Sequence, residues 1–140
     1  MKLIKLAVVH DLPEIFAGDT NPYRGDTSNK EENERKAAEQ LFSPLPSPLN
    51  ERFHNLFDEY LKQESPEAKI VKSADKLLPL IQNICSNEDY SSYRRLHVRY
   101  PEVKEYMDGY FKEDGILRKL YDVLLEEADQ KGVFYKETDP

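Results

Sequence analysis

Val8 to Thr20 reads "VVHDLPEIFAGDT", and four ionisable side chains, His10, Asp11, Glu14 and Asp19, follow directly on the apolar run Leu3–Val9. A hard or borderline divalent cation takes imidazole nitrogen and carboxylate oxygen. His10 and Asp11 offer one of each. Neighbours on a helix point about 100° apart, so both can reach one ion at a helix end. Two ligands are too few, and the third candidate is Asp75, an ionisable residue among apolar helix neighbours. Such a group is costly to bury unless it is paired or bound to a metal. Glu14 lies four residues after His10 and three after Asp11, so a continued helix would put it on their face. A carboxylate there can position a water or take its proton. Asp19 follows Gly18 at the start of a loop, from which a side chain can reach over a pocket.

A plainer reading competes for the same residues. "DLPE" is also a helix start, with Asp11 as N-cap, Pro13 in the first turn and Glu14 reaching back as in a capping box. Proline also restricts Leu12, which argues against one straight helix through residues 3–17. Asp75 has the alternative of a paired boundary carboxylate, and Asp19 that of a turn residue. His54 and His97 have no carboxylate at metal-ligand spacing and read as surface or boundary histidines.

The 140 residues suit one domain. A net charge of −7 disfavours a nucleic-acid binder, which needs clustered Lys and Arg. It leaves room for an enzyme of one small phosphate compound, because a bound divalent cation inverts the local field. The single cysteine, Cys85, allows no internal disulfide and reads as a small buried hydrophobe. "MKLIKLAVVH" is too short to span a membrane and has no cleavage site, so a cytoplasmic location is expected. Charged residues at 34% and a mean hydropathy of −0.78 point to amphipathic helices around a modest core.

Outward from the opening stretch, Leu3–Val9 is apolar on nearly every face, which predicts a helix buried all round, or a strand. Residues 18–30 are turn chemistry. "EENERKAAEQLF" predicts a helix with an acidic first turn, which "SPLPSPLN" stops. Ser47-Pro48 and Ser65-Pro66 both look like an N-cap followed by proline, opening helices over 49–63 and 67–86. Phe53, Leu56, Phe57, Tyr60 and Leu61 form one apolar stripe, and Ile70, Val71, Ala74, Leu77, Leu78 and Ile81 another. Asp75, four after Val71 and three before Leu78, points inward or to the edge of the core, and Pro79 predicts a bend. Residues 86–98 read as a polar connection or irregular helix start. Helices are predicted over 101–112 and 115–130, parted near Asp114-Gly115, with a polar tail over 131–140.

Two stretches, "HDLPEIFAGDT" and "FDEYLKQESPEAKIVKSADKL", resemble the HD-domain metal-dependent phosphohydrolases, and more narrowly their 5′-nucleotidase subfamily acting on deoxyribonucleoside monophosphates. The resemblance covers residues 3–85. It implies an all-α, HD-domain-like helical bundle holding one divalent metal ion (Mn, Co, Fe, Zn or Mg). It implies His10 and Asp11 as the His-Asp pair, Asp75 as the distant ligand, Glu14 aligning the attacking water and Asp19 protonating the leaving oxygen. The substrate implied is a (deoxy)nucleoside 5′-monophosphate. The family's first metal-ligating His and a phosphate-binding Arg belong to an earlier helix with no counterpart here. The expectation is therefore an N-terminally truncated bundle, with weak or no turnover. Its apolar opening helix lacks a covering partner, so a homo-oligomer is expected. The rivals are a non-catalytic HD-like helical module and an acidic helical protein that binds a basic partner.

Overall fold

The computed structural model describes residues 1–86, 91–112 and 115–137. Among them there are eight helices and no strand, which is the all-α class expected. The helices are α1 (Lys2–Val9), α2 (Glu14–Ala17), α3 (Lys30–Phe42), α4 (Leu49–Lys62), α5 (Pro66–Cys85), α6 (Ser92–Arg95), α7 (Tyr100–Asp108) and α8 (Ile116–Gln130). No helix of the described residues is long and apolar enough to cross a membrane. The chain divides into two compact units, Met1–Lys72 and Ser73–Pro140.

In the first unit, α1 and α3 both pack on α4, and α2 packs on α3. The stripe on α4 supplies the common core. Leu6 of α1, Tyr60, Ala68 and Val71 close one cluster; Val9, Ala38, Phe42 and Phe57 close the other. Phe42 is ringed edge-on by Phe53, His54 and Phe57, with centroids 5.3, 5.5 and 6.2 Å away. Edge-to-face pairs of this kind add about 1 kcal/mol each to simple burial. α3 has little apolar surface and is propped by pairs four residues apart: Glu31–Arg35 at 3.0 Å, Glu32–Lys36 at 2.6 Å and Lys30–Glu34 at 3.5 Å. Arg35 also reaches Asp58 at 3.0 Å, tying α3 to α4.

Four expectations need correcting along α1 to α5. α1 is a helix, but only Leu6 and Val9 are buried in it. Ile4 and Val8 are 63% and 60% exposed, because α4 covers one side only. Ser47 makes no side-chain cap, and Pro48 itself takes the cap position of α4. Asp11 does not cap α2 either; the cap position is Pro13 and no side chain bonds there. Ser65 does cap, its Oγ accepting the Ala68 amide at 3.2 Å. The predicted stripe on α5 was drawn too wide. Val71 and Leu77 are buried, whereas Ile70, Ala74, Leu78 and Ile81 are exposed, and Ala68 and Leu80 take their place in the core.

The second unit is built on aromatic stacking. Phe111 stacks on Tyr121 at 4.7 Å and Tyr93 on Phe134 at 5.5 Å. At the start of α7 the Arg99 amide donates to Glu102 Oε2 at 2.9 Å. α7 ends at Asp108, earlier than predicted, and α8 opens after Gly115. The expected break at Asp114 lies outside the described residues. So does part of the polar connection, of which residues 91–98 include the short α6. The tail is not wholly polar: Val133 and Phe134 are buried, held where Gly132 turns the chain with φ 64°. Cys85 is exposed rather than buried. The helix turns its neighbour Asn83 inward instead. Asn83 Nδ2 donates to the Pro79 carbonyl at 2.8 Å, and its Oδ1 accepts the Ser92 amide at 2.7 Å. The buried Ser91 hydroxyl has one proton to share between the Val133 carbonyl at 2.6 Å and Asn83 Oδ1 at 2.9 Å.

Candidate metal centre

α1 stops at Val9, and the His10 amide still bonds back to the Leu6 carbonyl at 3.0 Å. His10 is thus fixed as the last residue of that helix. Its side chain is 10% exposed, and that of Asp11 60%. The imidazole Nδ1 sits 2.8 Å from the Ala7 carbonyl oxygen. A carbonyl only accepts, so this network assigns the proton to Nδ1. The neutral ring then carries its lone pair on Nε2, the tautomer a metal takes. Beneath the ring lies the buried Tyr60, with centroids 4.8 Å apart. Lys72 Nζ also lies over that ring, 4.8 Å from its centroid, and donates to the tyrosine hydroxyl at 3.1 Å.

His10 Nε2 is 2.9 Å from Asp11 Oδ1. An ionised carboxylate also only accepts. Two lone pairs at this separation repel unless positive charge stands between or beside them. A proton on Nε2 supplies it, and so does a divalent cation. Two donor atoms bound at about 2.1 Å to one ion and at right angles lie about 3 Å apart. The His10–Asp11 spacing is that of neighbouring positions in such a shell. The donor chemistry and its geometry therefore fit a divalent ion.

Glu14 opens α2, one turn beyond Asp11, and the Glu14 amide donates to the Asp11 carbonyl at 3.0 Å. Burial pushes its carboxyl above the ordinary range, and the charges of Asp19 and Asp11 push the same way, against the pull of Lys30. Gly18 ends α2 with φ 74°, a backbone conformation that favours glycine, and its amide closes on Glu14 at 2.8 Å. This turn throws Asp19 clear of the helix, 79% exposed and 3.9 Å from Lys30 Nζ. The loop beyond is tied by Asn21, whose Oδ1 accepts the amides of Tyr23 and Arg24 at 2.9 and 3.1 Å.

In the first unit the structure thus brings His10 and Asp11 into contact and sets Glu14 and Asp19 on the turn that follows. Asp75 belongs to the second unit, half-buried on α5, with Lys76 Nζ 2.8 Å from its Oδ2. His54 is a boundary histidine beside Glu39 at 3.7 Å, and His97 is exposed, as expected of both. Tyr60 and Lys72 were not anticipated from sequence; their place on the same apolar stripe and on the following helix was visible, but not what they would meet.

The model of the HD domain matches residues 1–114. The 5′-deoxynucleotidase HDDC2 of Xenopus laevis is 33% identical over 131 residues, 91% of this chain and 62% of that protein. HDDC2 of Danio rerio is 39% identical over 82 residues, 58% of this chain and 41% of its own. The 5′-deoxynucleotidase hdd1 of Schizosaccharomyces pombe is 30% identical over 127 residues, 80% of this chain and 63% of its own. This chain therefore spans between two fifths and two thirds of the length of these relatives. The crystal structure of a predicted metal-dependent phosphohydrolase from Magnetospirillum magnetotacticum MS-1 superposes with a TM-score of 0.80 at 27% identity, over 96% of this chain and 68% of that one. With its helical architecture and its His-Asp pair at the end of α1, the chain belongs to the HD-domain family.

Proposed function

We propose that the chain is a metal-dependent phosphomonoester hydrolase of (deoxy)nucleoside 5′-monophosphates, with His10, Asp11 and Asp75 as the metal ligands. The observation that carries the reading is the His10 imidazole, its Nδ1 held by the Ala7 carbonyl and its Nε2 2.9 Å from Asp11. The names of the relatives, 5′-deoxynucleotidases and a metal-dependent phosphohydrolase, support the reaction class. A divalent ion supplies charge to draw in the phosphoryl oxygens and to acidify a water. Glu14, held partly out of water, orients that water and takes its proton. Asp19 gives a proton to the departing 5′-oxygen from the mouth of the loop.

Titration calorimetry with Mn²⁺ tests this directly. One ion per chain is expected, lost in His10→Ala and in Asp75→Ala. Phosphate release from deoxynucleoside 5′-monophosphates is expected to be weak, and to vanish with chelator. Protein that takes up no divalent ion would be a non-catalytic helical module. Substrate choice and the native ion follow from the same assay run across nucleotides and metals.

The exposed Ile4 and Val8 support a second proposal, self-association through α1. Sedimentation velocity over a concentration series should show a species larger than the monomer. A monomer at every concentration removes it.

A further inference from the structure

Asp75 and Lys76 are consecutive on α5, and consecutive helix residues point about 100° apart, so they do not ordinarily meet. Here they do: Lys76 Nζ lies 2.8 Å from Asp75 Oδ2, with the side chains only 19% and 26% exposed. The lysine stem could have carried its ammonium out to solvent. It folds inward over the Tyr110 ring instead, 5.8 Å from the centroid. The Tyr110 hydroxyl is in turn 3.4 Å from that of Tyr106. Burial, with the Tyr110 bond and the Asp75 charge added, holds Tyr106 well above the ordinary tyrosine range, so it stays a neutral phenol. Lys76 therefore rests between the Asp75 carboxylate and the Tyr110 ring.

We propose that Lys76 is the resting counter-ion of Asp75 and that it holds the metal affinity of Asp75 down. This rests on the reading of Asp75 as a ligand given above. A cation arriving at Asp75 has either to share the carboxylate with an ammonium or to displace it. Both cost binding free energy. A unit charge within a few ångströms of a divalent one weakens binding about tenfold even with the screening of bulk water. Alignment of the carboxylate by its lysine bond acts in the opposite direction, and the sign of the net effect is what separates the two roles. A weak resident ion that exchanges readily is the functional consequence.

The test is Mn²⁺ affinity by calorimetry on the whole chain, with circular dichroism confirming the fold of each variant. Lys76→Met keeps the stem over Tyr110 and removes the charge; it should bind at least about tenfold more tightly than the wild type. Lys76→Arg keeps the charge and should match the wild type. Lost packing alone cannot tighten binding. Lys76→Gln is read in the same way if the Met variant does not fold. Equal affinity for Met and wild type would make Lys76 a bystander and overturn the proposal. Weaker binding by the Met variant would overturn it in favour of alignment. Binding by neither the wild type nor any Lys76 variant would overturn the metal reading itself, and this proposal with it.

Discussion

α1 and α4 pack against each other, yet their apolar residues meet opposite fates. Six of the eight residues of α1 are apolar, and two of them are buried. α4 is charged along much of its length, but beyond Leu49, which is exposed at its first position, its apolar residues recur at positions 53, 56, 57, 60 and 61 and lie against the core. The lesson is that content and phase are different quantities. An apolar run spreads its side chains round the helix, and a neighbour covers only the side it touches. A stripe in phase with the helical turn puts each of them where one neighbour can cover it.

Substitutions on the two helices test that contrast. Phe57→Ala removes a buried ring from the Phe42 cluster and should cost about 3–5 kcal/mol in urea unfolding. A loss below 1 kcal/mol would mean that the stripe does not carry the unit. Ser65→Ala takes away the α5 cap and its bond to Glu59, and a loss of about 1 kcal/mol is expected by the same measurement. Val8→Ser on the exposed side of α1 should change the monomer's unfolding free energy by no more than about 0.5 kcal/mol. A large loss there would show that the face is covered in solution.

Glu14 gives the opposite sign. Its folded-state pKa is raised above the ordinary 4.5, so the folded chain holds that proton more strongly than the unfolded one. Stability should therefore fall as pH rises from about 4.5 through the raised value. Glu14→Gln should melt higher than the wild type at neutral pH and level with it near pH 4. If the proposed phosphatase activity is found, its loss in the same variant would show that the desolvated carboxylate is kept for its chemistry.

The features legible in the sequence were those set by short-range rules. The end of α3 was marked by its prolines, the start of α5 by Ser65-Pro66, and the stripe of α4 by its spacing. The His10–Asp11 pair was marked by residue type alone. What stayed hidden depends on partners distant in the chain. Nothing near Asn83 announces that it turns inward to meet Ser92, or that Ser91 meets Val133 forty-two residues on. Cys85 was misplaced for the same reason, since the face of α5 that is covered is decided by neighbours rather than by its own composition. Ser47 looked as good a cap as Ser65, and only the backbone path of the chain into each helix tells them apart.

The tyrosine beneath His10 has an optical consequence. The chain contains nine tyrosines and no tryptophan, so its ultraviolet emission is phenolic throughout. Tyr60 sits 4.8 Å from the imidazole, close enough for a paramagnetic guest such as Co²⁺ on that nitrogen to darken it. The molecule thus carries its own lamp beside the His10 imidazole, and the part of the dimming that disappears in Tyr60→Phe reads out loading without any added dye.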